Sequence, residues 1–144
     1  NNDGLGLYNT SGNIWGILGG GDNNLYIGYN YAARGYFSSS TGVYINLSDK
    51  NKKKDFEQST IGLNAILSLK PTLYRMKTDD TEGNKELGFI AQEVKEFIPQ
   101  AFVESEDFIG LNYNAIVTTL VKAIQEQTQI IKDLEARIVS LESK

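Results

Sequence analysis

The 144-residue sequence contains no cysteine and no histidine. Disulfides, thiolate metal sites, imidazole ligands and every histidine-based catalytic triad are therefore excluded, so any catalysis has to use serine, threonine, lysine or carboxylates. No apolar run approaches the roughly 20 residues that span a bilayer, and no basic segment followed by an apolar stretch opens the chain. No membrane partner is expected. Positive charge is scarce as well: a net charge of -4 gives no general attraction for phosphate backbones, and nucleic acid is not an expected partner. The local exception is the run from Lys50 to Lys54. Asn1 at the start suggests a fragment of a longer protein.

What is present falls into three zones, and the expected class is α+β. Residues 1–47 concentrate glycine and tyrosine among asparagine and serine, which predicts short strands between tight turns at 5–8, 13–18, 24–29, 34–38 and 42–47. A segment this small buries little apolar surface by itself, so intertwining with copies of itself, as in the β-rich end of a fibre or spike shaft, is preferred over an independent β-meander. Charge density rises abruptly at Ser48, where a second zone, 48–111, begins. There a helix is expected over 61–69, weakened at its start by Gly62 and stopped by Pro71, then a strand over 72–77. A second helix over 91–97 ends before Pro99, and 101–104 pairs with 108–111 as a hairpin. Gly88 should permit a close approach, with Phe89 and Ile90 filling the core, and Gln92 and Glu93 should serve as caps or interchain contacts. Asp79, Asp80 and Glu82 lack the alternating ligands of a calcium loop, and neither a metal nor another cofactor is expected.

The third zone, 112–144, is a long helix capped by Asn112 or Asn114. Val117, Ile124, Ile131 and Ile138 recur every seven residues, and Leu120, Gln127, Leu134 and Leu141 follow three positions later. This is the a/d pattern of a coiled coil, whereas a helix packed on its own domain would show a broader face of period 3.6. Strand number stays open: β-branched a positions with leucine at d lean towards dimers, and Gln127 says only that register is specified.

Without histidine, a serine nucleophile needs another base, and a lysine amine can serve when like charges or burial disfavour its ammonium form. Lys50, Lys52 and Lys54 crowd around Lys53, five residues after Ser48. That spacing puts the two on different faces of a helix and opposite faces of a strand, so a turn or a neighbouring chain has to bring them together. Attack by Ser48 on the carbonyl of Leu47 closes a five-membered ring, and attack on its own carbonyl a strained four-membered one. Leu47–Ser48 is therefore the expected scissile bond.

Ser48-Asp49 with Lys53, the stretch Leu63-Asn64-Ala65-Ile66-Leu67-Ser68-Leu69-Lys70-Pro71, the stretch Leu87-Gly88-Phe89-Ile90-Ala91-Gln92-Glu93-Val94, and Leu120-Val121-Lys122-Ala123-Ile124-Gln125-Glu126 together resemble the endosialidase-type intramolecular chaperone domain. The resemblance runs from Ser48 to about Leu141, with Asn51 and Lys52 standing where the family often has arginine and an apolar residue. It implies a homotrimer that assists folding of an upstream fibre or spike domain of the same chain, as in phage tail spikes, tail fibres and neck appendages. It also implies single-turnover self-cleavage by a Ser–Lys dyad, here Ser48 and Lys53, with Asp49 in a supporting position. The mature fibre would then sit in the virion tail, where it could meet a host-surface receptor, and the released chaperone would stay in the host cytoplasm. Two other functions fit the residues: an uncleaved trimerisation cap, and a fibre tip that binds a receptor through Tyr26, Tyr29, Tyr31 and Tyr36.

Overall fold

The computed structural model describes residues 4–8, 12, 14–30, 32–78 and 83–144. Two compact units divide the chain, Asn1–Phe56 and Glu57–Lys144. The calcium-loop residues Asp79, Asp80 and Glu82 lie outside the described residues, as does Tyr31.

In the first unit five strands follow one another in sequence order: β1 Gly4–Tyr8, β2 Ile14–Gly19, β3 Leu25–Tyr29, β4 Ala32–Phe37 and β5 Tyr44–Asn46. Each pairs antiparallel with the next, so the sheet is a meander. Alternating apolar residues and short turns suffice to close these local hairpins within one chain, which is the topology that the sequence made the second choice. Between β2 and β3, Asn23 turns the chain with φ 67°, and Asp22 accepts from the Tyr26 hydroxyl and from Asn24 Nδ2, both at 2.8 Å.

Cross-strand register sorts the side chains onto two faces. One carries Leu18, Tyr26, Tyr36 and Ile45 in a row, with the Tyr26 and Tyr36 rings 5.1 Å apart. The other carries Leu5, Trp15, Ile17, Leu25, Ile27, Tyr29, Phe37 and Tyr44. That second set is apolar and aromatic apart from the Arg34 guanidinium beside Tyr29, and Leu5, Trp15, Ile17, Leu25, Phe37 and Tyr44 are all exposed.

The second unit is built on α1 Leu63–Ser68, α2 Ala91–Lys95 and α3 Tyr113–Glu142, with the two-stranded pairs β6 Thr72–Tyr74 with β7 Glu86–Gly88 and β8 Phe102–Glu104 with β9 Ile109–Leu111. Its core is small. Val94, Ile98, Ala101 and Ile116 are buried, with Ile61, Ala65, Ile66, Leu69, Phe89, Phe97, Leu111 and Ala115 packed around them. Full burial of a side chain such as Ile98 contributes roughly 1.5–3 kcal/mol. Asn112 caps α3 by accepting from the Asn114 amide at 3.1 Å.

Several expectations need correction. The strand expected over 72–77 stops at Tyr74, and Arg75 Nε instead donates to the Gly83 carbonyl at 2.9 Å. Ile90 is exposed rather than in the core, whereas Gly88 is a close approach: a Cβ there would lie 3.1 Å from the Tyr74 ring and 3.2 Å from the Tyr113 hydroxyl. Neither Gln92 nor Glu93 caps α2, whose N-cap is Ile90 without a side-chain hydrogen bond.

Gly62 does more than weaken a helix start. The Glu126 carboxylate on α3 accepts from the Leu63 amide at 2.7 Å, satisfying one of the unpaired donors at the start of α1. A Cβ on Gly62 would lie 2.7 Å from Glu126 Cδ, so only glycine leaves room for the carboxylate.

Glu126→Ala and Gly62→Ala are each expected to lower stability by about 1 kcal/mol, and the double variant by less than their sum, because both remove one cap. Denaturant unfolding at fixed chain concentration checks this, and full additivity would disprove the shared cap. In the sheet, the Tyr26 hydroxyl and Asn24 hold the Asp22 carboxyl below its usual range, and Asp22 holds the Tyr26 phenol above its own. The stabilising contribution of Asp22 is present above its unfolded value near 3.8 and lost as pH falls through the lowered one. That of Tyr26 is present below its unfolded value near 10.0 and lost as pH rises through the raised one. Tyr26→Phe should move the Asp22 titration, followed by carboxyl NMR, back towards ordinary carboxylates.

Candidate functional site

Ser48 and Lys53 come together through a single turn. After β5 the chain forms a 3-10 turn over Lys50–Lys52, with Asp49 as its N-cap and Lys53 as its C-cap. The Asp49 carboxylate accepts from the Asn51 amide at 2.9 Å. The Lys52 amide donates to the Asp49 carbonyl and the Lys53 amide to the Lys50 carbonyl, both at 3.1 Å. The tight turn shortens the path between the two residues, and Lys53 leaves it with extended backbone, which lets its side chain reach back. Lys53 Nζ donates to Ser48 Oγ at 2.7 Å. No neighbouring chain is needed for this contact.

Both members of the pair are exposed in the single chain. They open onto a cleft of ≈ 640 Å³ lined by Ala32, Ala33, Arg34, Leu47, Ser48, Asp49, Lys52 and Lys53. Leu47 and Ser48, whose peptide bond is the expected target, lie on the cleft wall with the amine. Asp49 caps the turn, and the close ion pairs among the described residues, Lys54–Asp55, Lys95–Glu104 and Lys122–Glu126, do not include it.

Arg34 was not anticipated. Between Ile27 and Gly28 the β3–β4 register slips by one, and Arg34 is the extra residue on β4. Such a bulge re-aims a side chain, and its guanidinium lies 5.8 Å from the centre of the Tyr29 ring. A signal was present, for Arg34 is the sole basic residue in the first 47 positions.

The heptad positions lie along α3. Its first turns bury Ile116, Thr119 and Ala123, a stripe that packs against α1 and the core. Val117, Leu120, Ile124, Ile131, Leu134, Ile138 and Leu141 point elsewhere and are 40 to 68% exposed, and Gln127 is exposed with them. Beyond Glu126 every residue of α3 is exposed. The tyrosines do not form one platform: Tyr26 and Tyr36 are half-buried on one face of the sheet, and Tyr29 stands on the other.

A family model described as chaperone of endosialidase matches residues 48–103. Over these residues the chain is similar to an endosialidase-type chaperone domain. The match begins at Ser48 and ends within β8, so three of the four sequence motifs lie within the matched residues and the fourth lies beyond them on α3. Comparisons with curated proteins and with solved structures give no match. The family match thus starts at the residue whose hydroxyl touches the lysine amine.

Proposed function

We propose that the chain assembles as a homotrimer, assists folding of an upstream tail fibre or spike, and then releases its own chaperone domain by cutting the Leu47–Ser48 bond. The observation that carries this is the 2.7 Å contact between Lys53 Nζ and Ser48 Oγ at the first residue of the family match.

In its neutral form the amine accepts the hydroxyl proton across that same contact, and Oγ attacks the Leu47 carbonyl carbon. The positive charge of Arg34 and Lys52 along the cleft favours the oxyanion that forms. Collapse breaks the Leu47–Ser48 C–N bond as the Lys53 ammonium returns its proton to the departing Ser48 nitrogen, leaving Leu47 as an ester on Oγ. One water then hydrolyses the ester, adding hydroxyl to the Leu47 carbonyl and restoring the serine. The products are a fragment ending in the Leu47 carboxylate and one beginning with the Ser48 amine.

The trimer rests on surfaces that the single chain leaves open. The exposed seam of α3 projects from its domain for about four turns, and an isolated helix of that length is marginal in water. The largely apolar face of the β sheet is also one that copies of the chain would cover. Entwined β chains nucleate slowly because their pairings are long-range, and tying three copies at one end raises their effective concentration and sets a common register. Cutting afterwards leaves a fibre that cannot retrace its folding path. In this setting the mature fibre belongs to a virion tail, where it can meet a host receptor, and the released domain remains in the host cytoplasm.

Intact-mass measurement of the purified chain is expected to show the two fragments, with cleavage reduced on the order of 1000-fold or more in Ser48→Ala and Lys53→Ala. An intact parent would make the domain a permanent trimerisation cap. For assembly, sedimentation should show a trimer in the parent, and replacing both Ile131 and Leu134 by lysine should yield monomers with less helical signal. A parent that stays monomeric at high micromolar concentration would rule the trimer out.

A further inference from the structure

We infer that Asp49 is a positioning residue for the Ser48–Lys53 pair, acting as a hydrogen-bond acceptor and not as a negative charge. The inference rests on the self-cleavage proposed above and assigns a role to the residue between nucleophile and base.

Ser48 and Lys53 are five positions apart, and an extended backbone would carry their side chains apart. The reversal is made by one 3-10 turn, Lys50–Lys52, held by two backbone hydrogen bonds, Lys52 N–H to Asp49 and Lys53 N–H to Lys50, both at 3.1 Å. So short an element is fully exposed and buries no side chain. Packing does not hold it, and its hydrogen bonds compete with water. The additional bond comes from a side chain: Asp49 Oδ1 accepts from Asn51 N–H at 2.9 Å, fixing the first residues of the turn. Lys53 leaves the turn with extended backbone, φ −120° and ψ 156°, and its amine reaches back to Ser48 Oγ at 2.7 Å.

Four lysines surround Asp49 in sequence, so a purely electrostatic role is the obvious competitor. The contacts argue against it. Asp49 takes part in no ion pair within 4.0 Å among the described residues, while the neighbouring Lys54 pairs with Asp55 at 3.8 Å. What the carboxylate does touch is a backbone amide. An asparagine would make the same bond without charge, whereas a glutamate would keep the charge with a side chain poorly suited to capping.

The test is the cleavage half-time of the full chain as Asp49→Asn, Asp49→Glu and Asp49→Ala, read by intact mass. Asp49→Asn is expected to stay within about threefold of the parent, and Asp49→Ala and Asp49→Glu to slow by about tenfold, the factor that losing a cap implies. A Ser48→Ala background carries the same three substitutions for NMR, because it reports the turn without any cutting. There the Asn51 amide should keep its shift and exchange protection with asparagine and lose both with alanine or glutamate. A fast glutamate variant with a slow asparagine variant would overturn the inference in favour of charge, as would parental rates for all three. If the parent does not cut itself, the self-cleavage proposal fails, and the Asn51 amide still decides whether Asp49 caps the turn.

Discussion

The carboxylate of Glu126 crosses from α3 to the first amide of α1 at 2.7 Å, and the second unit is organised around that contact. It joins residues 63 positions apart in a short helix that has no capping side chain of its own, since Gly62 precedes it. It also fixes which side of α3 faces inward. Ile116, Thr119 and Ala123 lie on the same side as Glu126 and pack against α1 and the core. Once that stripe is committed, the heptad seam has to point away, because positions one residue apart on a helix are separated by about 100°. A single glycine and a single carboxylate thus help to decide that the apolar seam is left exposed.

Much of the fold was legible because local pattern and final structure agree. The five short strands and α2 follow from apolar alternation, turn residues and proline stops, with boundaries moving by a residue or two. What escaped was non-local. Nothing near Gly62 in sequence announces that a glutamate 64 positions later will sit over it, so a glycine that looks like a weakness is a requirement. Likewise β7 at Glu86–Gly88 is too short to show a period, and it exists because β6 offers it an edge. Ile90 looked like core by hydropathy alone, yet it is the N-cap of α2, where the chain direction and not the residue type sets exposure.

The site divides in the same way. Ser48 and Lys53 were recognisable from the absence of histidine and from the order of motifs, but five-residue spacing left two ways to unite them, a turn or a second chain. The 3-10 geometry resolves that choice, and Asp49 contributes its Oδ1 to the turn itself. Arg34 was harder to foresee because its place in the cleft depends on a register slip in a strand pair, which no periodicity reports.

The exposure of the dyad connects these levels. A serine and a lysine in open water are poorly suited to peptide cleavage, since water solvates the ammonium form and competes for the carbonyl. Here both lie on the surface of a unit whose largely apolar sheet face is also open. The contact between the lysine amine and the serine hydroxyl is complete within one chain, whereas the exclusion of water from it is not. If the pair cuts as proposed, neighbouring copies that exclude water would raise its reactivity, so that release would follow assembly. The turn sets the pair in contact in advance, and on the proposed reading association would supply the low-dielectric surroundings in which a lysine can act as a base.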